Sequence, residues 1–174
     1  MNLKPEGGNA PSNEDGESQY LTFQLGHEMF AIGILGIKEI LEYGVLTTVP
    51  MMPGFVRGVI NLRGAVVPVI DLSARFGRHS SEVTRRSCIV IIESKGETGS
   101  QDLGILVDSV SEVLEIAASD IEPTPDFGTG LRQEFISGMA KVDNKFVITL
   151  NVNRVLSVDE MLMLAESDRS EQTA

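Results

Sequence analysis

The chain has 174 residues, 42% of them apolar, which is enough for one compact domain or for two small barrels sharing a core. A formal net charge of −11 and a sequence pI near 4.6 argue against nucleic acid or an anionic lipid surface as the partner. Cys88 is the only cysteine, so an intrachain disulfide and a multi-cysteine metal site are excluded.

Residues 1–18 are rich in Asn, Gly, Pro, Glu and Ser, with hardly an apolar side chain to offset the entropy of ordering, so a disordered leader is expected. No basic segment followed by an apolar core and a cleavage site opens the chain, and no apolar run approaches a membrane span. A cytoplasmic protein without direct membrane insertion is expected. From Tyr20, the apolar Leu21, Phe23 and Leu25 alternate with Thr22 and Gln24. Gly26-His27-Glu28 then breaks the pattern before a second strand from Met29 to Ile34, giving a first hairpin. Ile37-Lys38-Glu39-Ile40-Leu41 follows, and a polar stretch leads to Val49-Pro50.

Two apolar runs come next, Gly58 to Leu62 and Ala65 to Leu72, separated by Arg63-Gly64. They read as a second hairpin in which Gly64 supplies the positive φ of a tight turn, with Gly58 as a further structural glycine. Arg63 stands at that turn among aliphatic neighbours, so its guanidinium points to water or is held by a carboxylate from elsewhere in the fold. Cys88 opens the strand Cys88-Ile89-Val90-Ile91-Ile92, where a free cysteine behaves as a small hydrophobe. Ser94 to Asp102 reads as a polar loop longer than a tight hairpin needs, the kind of loop that carries partner choice. Ser157 and Glu160 form a capping box for a C-terminal helix over 158–166, and the polar residues 167–174 read as a fraying tail.

The chain also repeats itself. Sliding by about 73 positions lays Ile32 on Ile105, Ile37 on Val110, Glu39 on Glu112, Ile40 on Val113, Leu41 on Leu114 and Pro50 on Pro123. After an insertion of about seven residues, Phe55 falls on Phe135, Gly58 on Gly138, Arg63-Gly64 on Asp143-Asn144, and Asp71 on Asn151. Each copy holds a hairpin, an Ile/Val-x-x-Ile/Val-Leu segment, a proline bend and a second hairpin, a plan that suits an antiparallel barrel of about five strands. The expected barrel elements are roughly 19–87 and 88–156, a division that leaves room for chain exchange between the barrels.

Catalytic signals are thin. His27 falls at a turn and His79 in a polar loop, neither beside a second ligand at a metal spacing. No phosphate loop, nucleophile elbow or His-Glu-x-x-His helix is present, so no catalytic residue, metal or cofactor is assigned.

Val59-Ile60-Asn61-Leu62-Arg63-Gly64 followed by Val67-Pro68-Val69-Ile70-Asp71-Leu72 resembles the signature of CheW-type coupling proteins, the adaptors that join bacterial chemoreceptors to a CheA-type histidine kinase. The resemblance extends from Tyr20 to the C-terminal helix, a domain of 19–165. It implies a mainly β fold of two tandem five-stranded Src-homology-3-like barrels side by side, and a non-enzymatic scaffold recruited to membrane-associated receptor arrays. It implies that Arg63 pairs with Glu39, and that the receptor's hairpin tip lies in a groove between the barrels. Ile37, Cys88 and Val110 would form the floor of that groove, with Glu39, Asn61 and Arg63 as polar anchors. The kinase's regulatory domain would meet the end of one barrel. Two other readings stand beside this one: an adaptor of the same type serving a different chemosensory pathway, and a barrel module that binds a small molecule in the groove.

Overall fold

The structure, a computed structural model, describes residues 17–96, 99–124, 130–157 and 160. Its strands in chain order are β1 (Glu17–Leu25), β2 (Glu28–Gly33), β3 (Ile37–Glu42), β4 (Val56–Leu62), β5 (Ala65–Asp71), β6 (Cys88–Gly96), β7 (Gly99–Val107), β8 (Ser109–Ala117), β9 (Ile121–Glu122), β10 (Ile136–Val142) and β11 (Lys145–Leu150). Two short helices, α1 (Leu72–Arg75) and α2 (Val152–Val155), follow β5 and β11. Asp71 and Asn151 cap them, each accepting the N–H three residues on, from Ala74 and Arg154. These repeat-mates are the reason each second hairpin ends in one helical turn.

The strands form two sheets, ordered β8-β1-β2-β11-β10-β9 and β3-β6-β7-β5-β4. The first hairpin of each repeat is exchanged: β1 and β2 complete the sheet of the second copy, and β6 and β7 complete that of the first. Residues 19–87 and 88–156 thus each contribute to both sheets. The joints are the two parallel pairings, β11 with β2 and β5 with β7. Each sheet closes on itself in the same manner. The chain leaving β3 reaches the far edge, where Thr47 and Val59 exchange N–H···O bonds of 3.0 and 2.8 Å. The chain leaving β8 does likewise through β9, which pairs with β10.

The main core lies where the barrels meet. Phe23, Phe30, Phe76 and Phe135 form a row of rings with centroids 5.9, 5.7 and 5.8 Å apart, joined by buried aliphatics from both sheets, among them Leu21, Ile32, Val90, Ile92 and Ile105. A smaller cluster of Val67, Val69, Ile89, Ile91 and Leu106 belongs to the five-stranded barrel.

Some expectations change. Residues 17 and 18, expected in the leader, are strand, because β1 extends to pair with β8; residues 1–16 lie outside the described residues. The 94–102 stretch is hairpin rather than loop wherever it is described, its polar residues pairing Ser94 with Gln101 and Lys95 with Ser100. Ser94, which is fully buried, donates its hydroxyl to Leu156 O at 2.9 Å, so polarity here marks a docked strand. The expected helix over 158–166 and the tail 167–174 lie outside the described residues, Glu160 apart.

Glu160 fastens the two barrels. Arg75, at the end of α1, is buried with its guanidinium over the rings of Phe55 and Phe135 at 5.3 and 4.9 Å. Its Nε donates to Val155 O at 2.8 Å and its Nη2 to Glu160 Oε1 at 2.9 Å. Glu160 Oε2 accepts from Arg132 Nη1 at 2.6 Å. Burial pushes the Glu160 carboxyl up, but the hydrogen bonds from Arg132 and Arg75 outweigh it and hold the group below its usual value.

Barrel closure depends on two glycines. A Cβ on Gly58 would stand 2.5 Å from Thr47 O, and one on its mate Gly138 2.5 Å from Ile121 Cγ2. Gly58→Ala and Gly138→Ala are each expected to destabilise by about 1–3 kcal/mol in urea unfolding, the cost of overpacking a site that cannot yield. Glu160→Gln leaves Arg75 buried without its counter-charge and is expected to cost about 1–3 kcal/mol at neutral pH. A carboxyl with a depressed folded pKa contributes stability above its unfolded pKa and loses it as pH falls through the folded one. Unfolding curves should therefore converge for wild type and Glu160→Gln in acid; a deficit unchanged in acid would contradict the clasp.

Candidate functional site

The β4–β5 turn is two residues long, Arg63 and Gly64, both in the left-handed region at φ 54° and 89°. That geometry matches the twist of the flanking strands. Asn61 locks it, its Oδ1 accepting the Gly64 N–H at 2.9 Å. Asn61 is thus first a turn residue, and Arg63 is mounted on a rigid support.

Across the barrel end, β3 carries Glu39 toward this turn. The Arg63 Nη1–Glu39 Oε2 distance is 2.6 Å, with the arginine side chain 71% exposed and the glutamate 25%. The hydrogen bond from Arg63, together with its charge, holds the Glu39 carboxyl below its usual value against the opposing effect of burial. Glu39 in turn raises the arginine's affinity for its proton. Each charge thus favours the ionised form of the other.

A β-bulge decides what surrounds the pair. Ile37 faces Ile92 on β6 while Glu39 faces Ile91, so Lys38 is the extra residue. Directly opposed residues project to the same side of a sheet. Ile92 belongs to the main core and Ile91 to the smaller cluster. Ile37 therefore turns toward the inter-barrel core and Glu39 toward the smaller cluster. Lys38 sets its ammonium 3.0 and 3.1 Å from the Asp102 carboxylate.

Cys88 and Val110 join Ile37 as half-buried residues packed against the main core. Cys88 lies opposite Glu42 and Val107, and Val110 opposite Phe23. The structure thus assembles Glu39, Arg63 and Asn61 at one barrel end, and places Ile37, Cys88 and Val110 separately along the seam between barrels. Sequence reasoning missed the apolar side chain left exposed nearby, Val66 at 68%. Val66 sits opposite Asn61, and only its place in the alternation before the buried Val67 marks it. The Lys38–Asp102 pair joins residues 64 apart and leaves no local signal.

Among the described residues, the second barrel has no such pair. Its turn, Asp143-Asn144, repeats the positive φ values at 51° and 66°, but Asp143 stands where the first barrel has arginine, and Glu112 is the mate of Glu39. Both positions are acidic. Among the described residues, no three His, Cys, Asp or Glu side chains come together as a metal site, and no helix is long and apolar enough to cross a membrane.

Residues 19–160 match the model of the CheW-like domain. The chain is 33% identical to the chemotaxis protein CheW of Klebsiella aerogenes over 84% of its own length and 86% of that protein's. It is 34% identical to the chemotaxis protein CheW of Rhizobium meliloti, covering 84% and 92% of the two chains. Among solved structures, the scaffolding protein TtCheW of Thermoanaerobacter tengcongensis superposes with a TM-score of 0.73 at 33% identity, over 87% of this chain and 93% of that one. With its exchanged barrels, its Asn-Leu-Arg-Gly turn and this breadth of match, the chain belongs to the CheW-like family.

Proposed function

We propose that this chain is a non-enzymatic adaptor of chemotaxis signalling that couples the cytoplasmic hairpin tip of a chemoreceptor to the regulatory domain of a CheA-type kinase. It would do so in the cytoplasm, recruited to membrane-associated receptor arrays. The observation that carries this reading is the Arg63–Glu39 pair on its locked turn. An exposed ion pair contributes little to stability, typically about 0–1 kcal/mol. Its value lies in orientation: a guanidinium already held by one carboxylate keeps its remaining N–H donors aimed outward and loses less side-chain entropy on docking. Val66, opposite Asn61, supplies apolar surface beside that anchor. The half-buried seam residues Ile37, Cys88 and Val110 suit the floor of a groove that takes a helix.

Co-sedimentation with a receptor signalling fragment and with the isolated kinase regulatory domain tests the assignment. Arg63→Ala is expected to weaken receptor binding by roughly tenfold while leaving kinase-domain binding and the unfolding midpoint in place. The charge swap Glu39→Arg with Arg63→Glu should recover part of the loss. Equal loss of both partners, or binding of neither by wild type, would defeat the reading.

A further inference from the structure

The two repeats carry the same bulge and hold it by different means. In the six-stranded sheet Phe23 faces Val110 and Thr22 faces Glu112, which leaves Ser111, the repeat-mate of Lys38, as the extra residue. Thr22, 2% exposed, clamps it: its hydroxyl donates to Glu112 O at 2.9 Å and accepts the Glu112 N–H at 3.2 Å. In the five-stranded sheet the residue facing Glu39 is Ile91, fully buried and without a polar side-chain atom, so it cannot form that clamp. Beside this bulge stands the ion pair of Lys38 with Asp102 instead. The offset that lays Ile32 on Ile105 lays Met29 on Asp102, and Ser111 reaches Met29 Sδ at 3.8 Å. The same reach across the middle strand is thus made in both barrels, but only in the five-stranded one is it charged.

The place of the bulge matters because three placements satisfy the apolar ends of β3. Ile37 faces Ile92 and Leu41 faces Ile89, and both keep these partners whether the extra residue is Lys38, Glu39 or Ile40. Either alternative sets Lys38 opposite Ile91, on the side from which Glu39 now meets Arg63, and takes Glu39 out of that place. Charge decides between them. Glu93 and Asp102 are directly opposed across β6 and β7, a like-charge pair that is unfavourable by itself. Lys38 sets its ammonium on Asp102 within the field of Glu93, and the hydrogen bond to Asp102 tightens its hold on its proton. An exposed ion pair adds little to global stability, but a small bias is enough to populate one placement among near-equals. We propose that Lys38 and Asp102 are positioning residues, whose bridge keeps the extra residue of β3 at Lys38 and so keeps Glu39 turned to Arg63. The consequence for binding rests on the reading of Arg63 and Glu39 as the receptor anchor; the consequence for Glu39 itself does not.

Titration of the Glu39 carboxyl by NMR, on the full chain with no partner present, reads the placement. The hydrogen bond from Arg63 holds this carboxyl below its usual value, so a Glu39 turned away titrates higher. Asp102→Ala is the decisive variant, because loss of a nearby negative charge by itself lowers the Glu39 pKa, whereas release of the bulge raises it. Lys38→Met should raise it as well, and Lys38→Arg, which keeps the bridge, should leave it at the wild-type value. With a receptor signalling fragment, Asp102→Ala is expected to weaken binding by roughly threefold in the wild-type background and not at all in Arg63→Ala, with the unfolding midpoint in place. If the wild type does not bind the fragment, the receptor reading fails and the titration alone decides this inference. A Glu39 pKa that stays or falls in Asp102→Ala, or an affinity loss of the same size in both backgrounds, would overturn the proposal.

Discussion

The reciprocal exchange of hairpins governs the rest of this molecule. Each barrel is built from three or four strands of one sequence copy and completed by two strands of the other, through the parallel pairings β2 with β11 and β5 with β7. The apolar faces of the exchanged hairpins are what the main core is made of, so the row of phenylalanines and the aliphatics around it are held in common. The clasp of Arg75, Glu160 and Arg132 adds a polar lock at the same junction. Barrels joined in this way share one core rather than standing as two independent units.

Duplication then supplies two equivalent frames with different chemistry. Both barrels present a two-residue turn with positive φ at the same end, but one carries Arg63 opposite Glu39 and the other Asp143 where Glu112 is the matching acid. Both place a capping side chain after the second hairpin, but one is the buried Asp71, which also accepts from the Ser81 N–H and Arg57, and the other is Asn151. The backbone is repeated and the side chains have diverged at the places where partners would be read.

Much of this was legible in the residues. Alternation of Leu21, Phe23 and Leu25 marked β1, two apolar runs marked β4 and β5, the Arg63-Gly64 pair marked the turn, and the shared positions of Gly58 and Gly138 marked the repeat. What stayed hidden depends on distant neighbours. Periodicity carries no information on which hairpin completes which barrel. The bulge at Lys38, which turns Ile37 and Glu39 to opposite sides, arises from the register with β6 and not from β3 itself. Ser94 to Asp102 read as a loop because it is longer and more polar than a tight hairpin needs, whereas Ser94 finds the Leu156 carbonyl from the other end of the chain. Asp71 looked like one more residue of an apolar motif, and its buried partnership with Arg57 and Ser81 appears only in three dimensions.

The account turns on the claim that Glu39 acts on Arg63 by orientation for binding rather than by holding the fold together. A double-mutant cycle with Glu39→Ala, Arg63→Ala and the double variant tests this directly, with receptor-fragment affinity by calorimetry and unfolding free energy by urea measured on all four proteins. The account predicts a coupling in binding on the order of 1 kcal/mol and none beyond error in unfolding. Coupling in unfolding with additive losses in binding would contradict it.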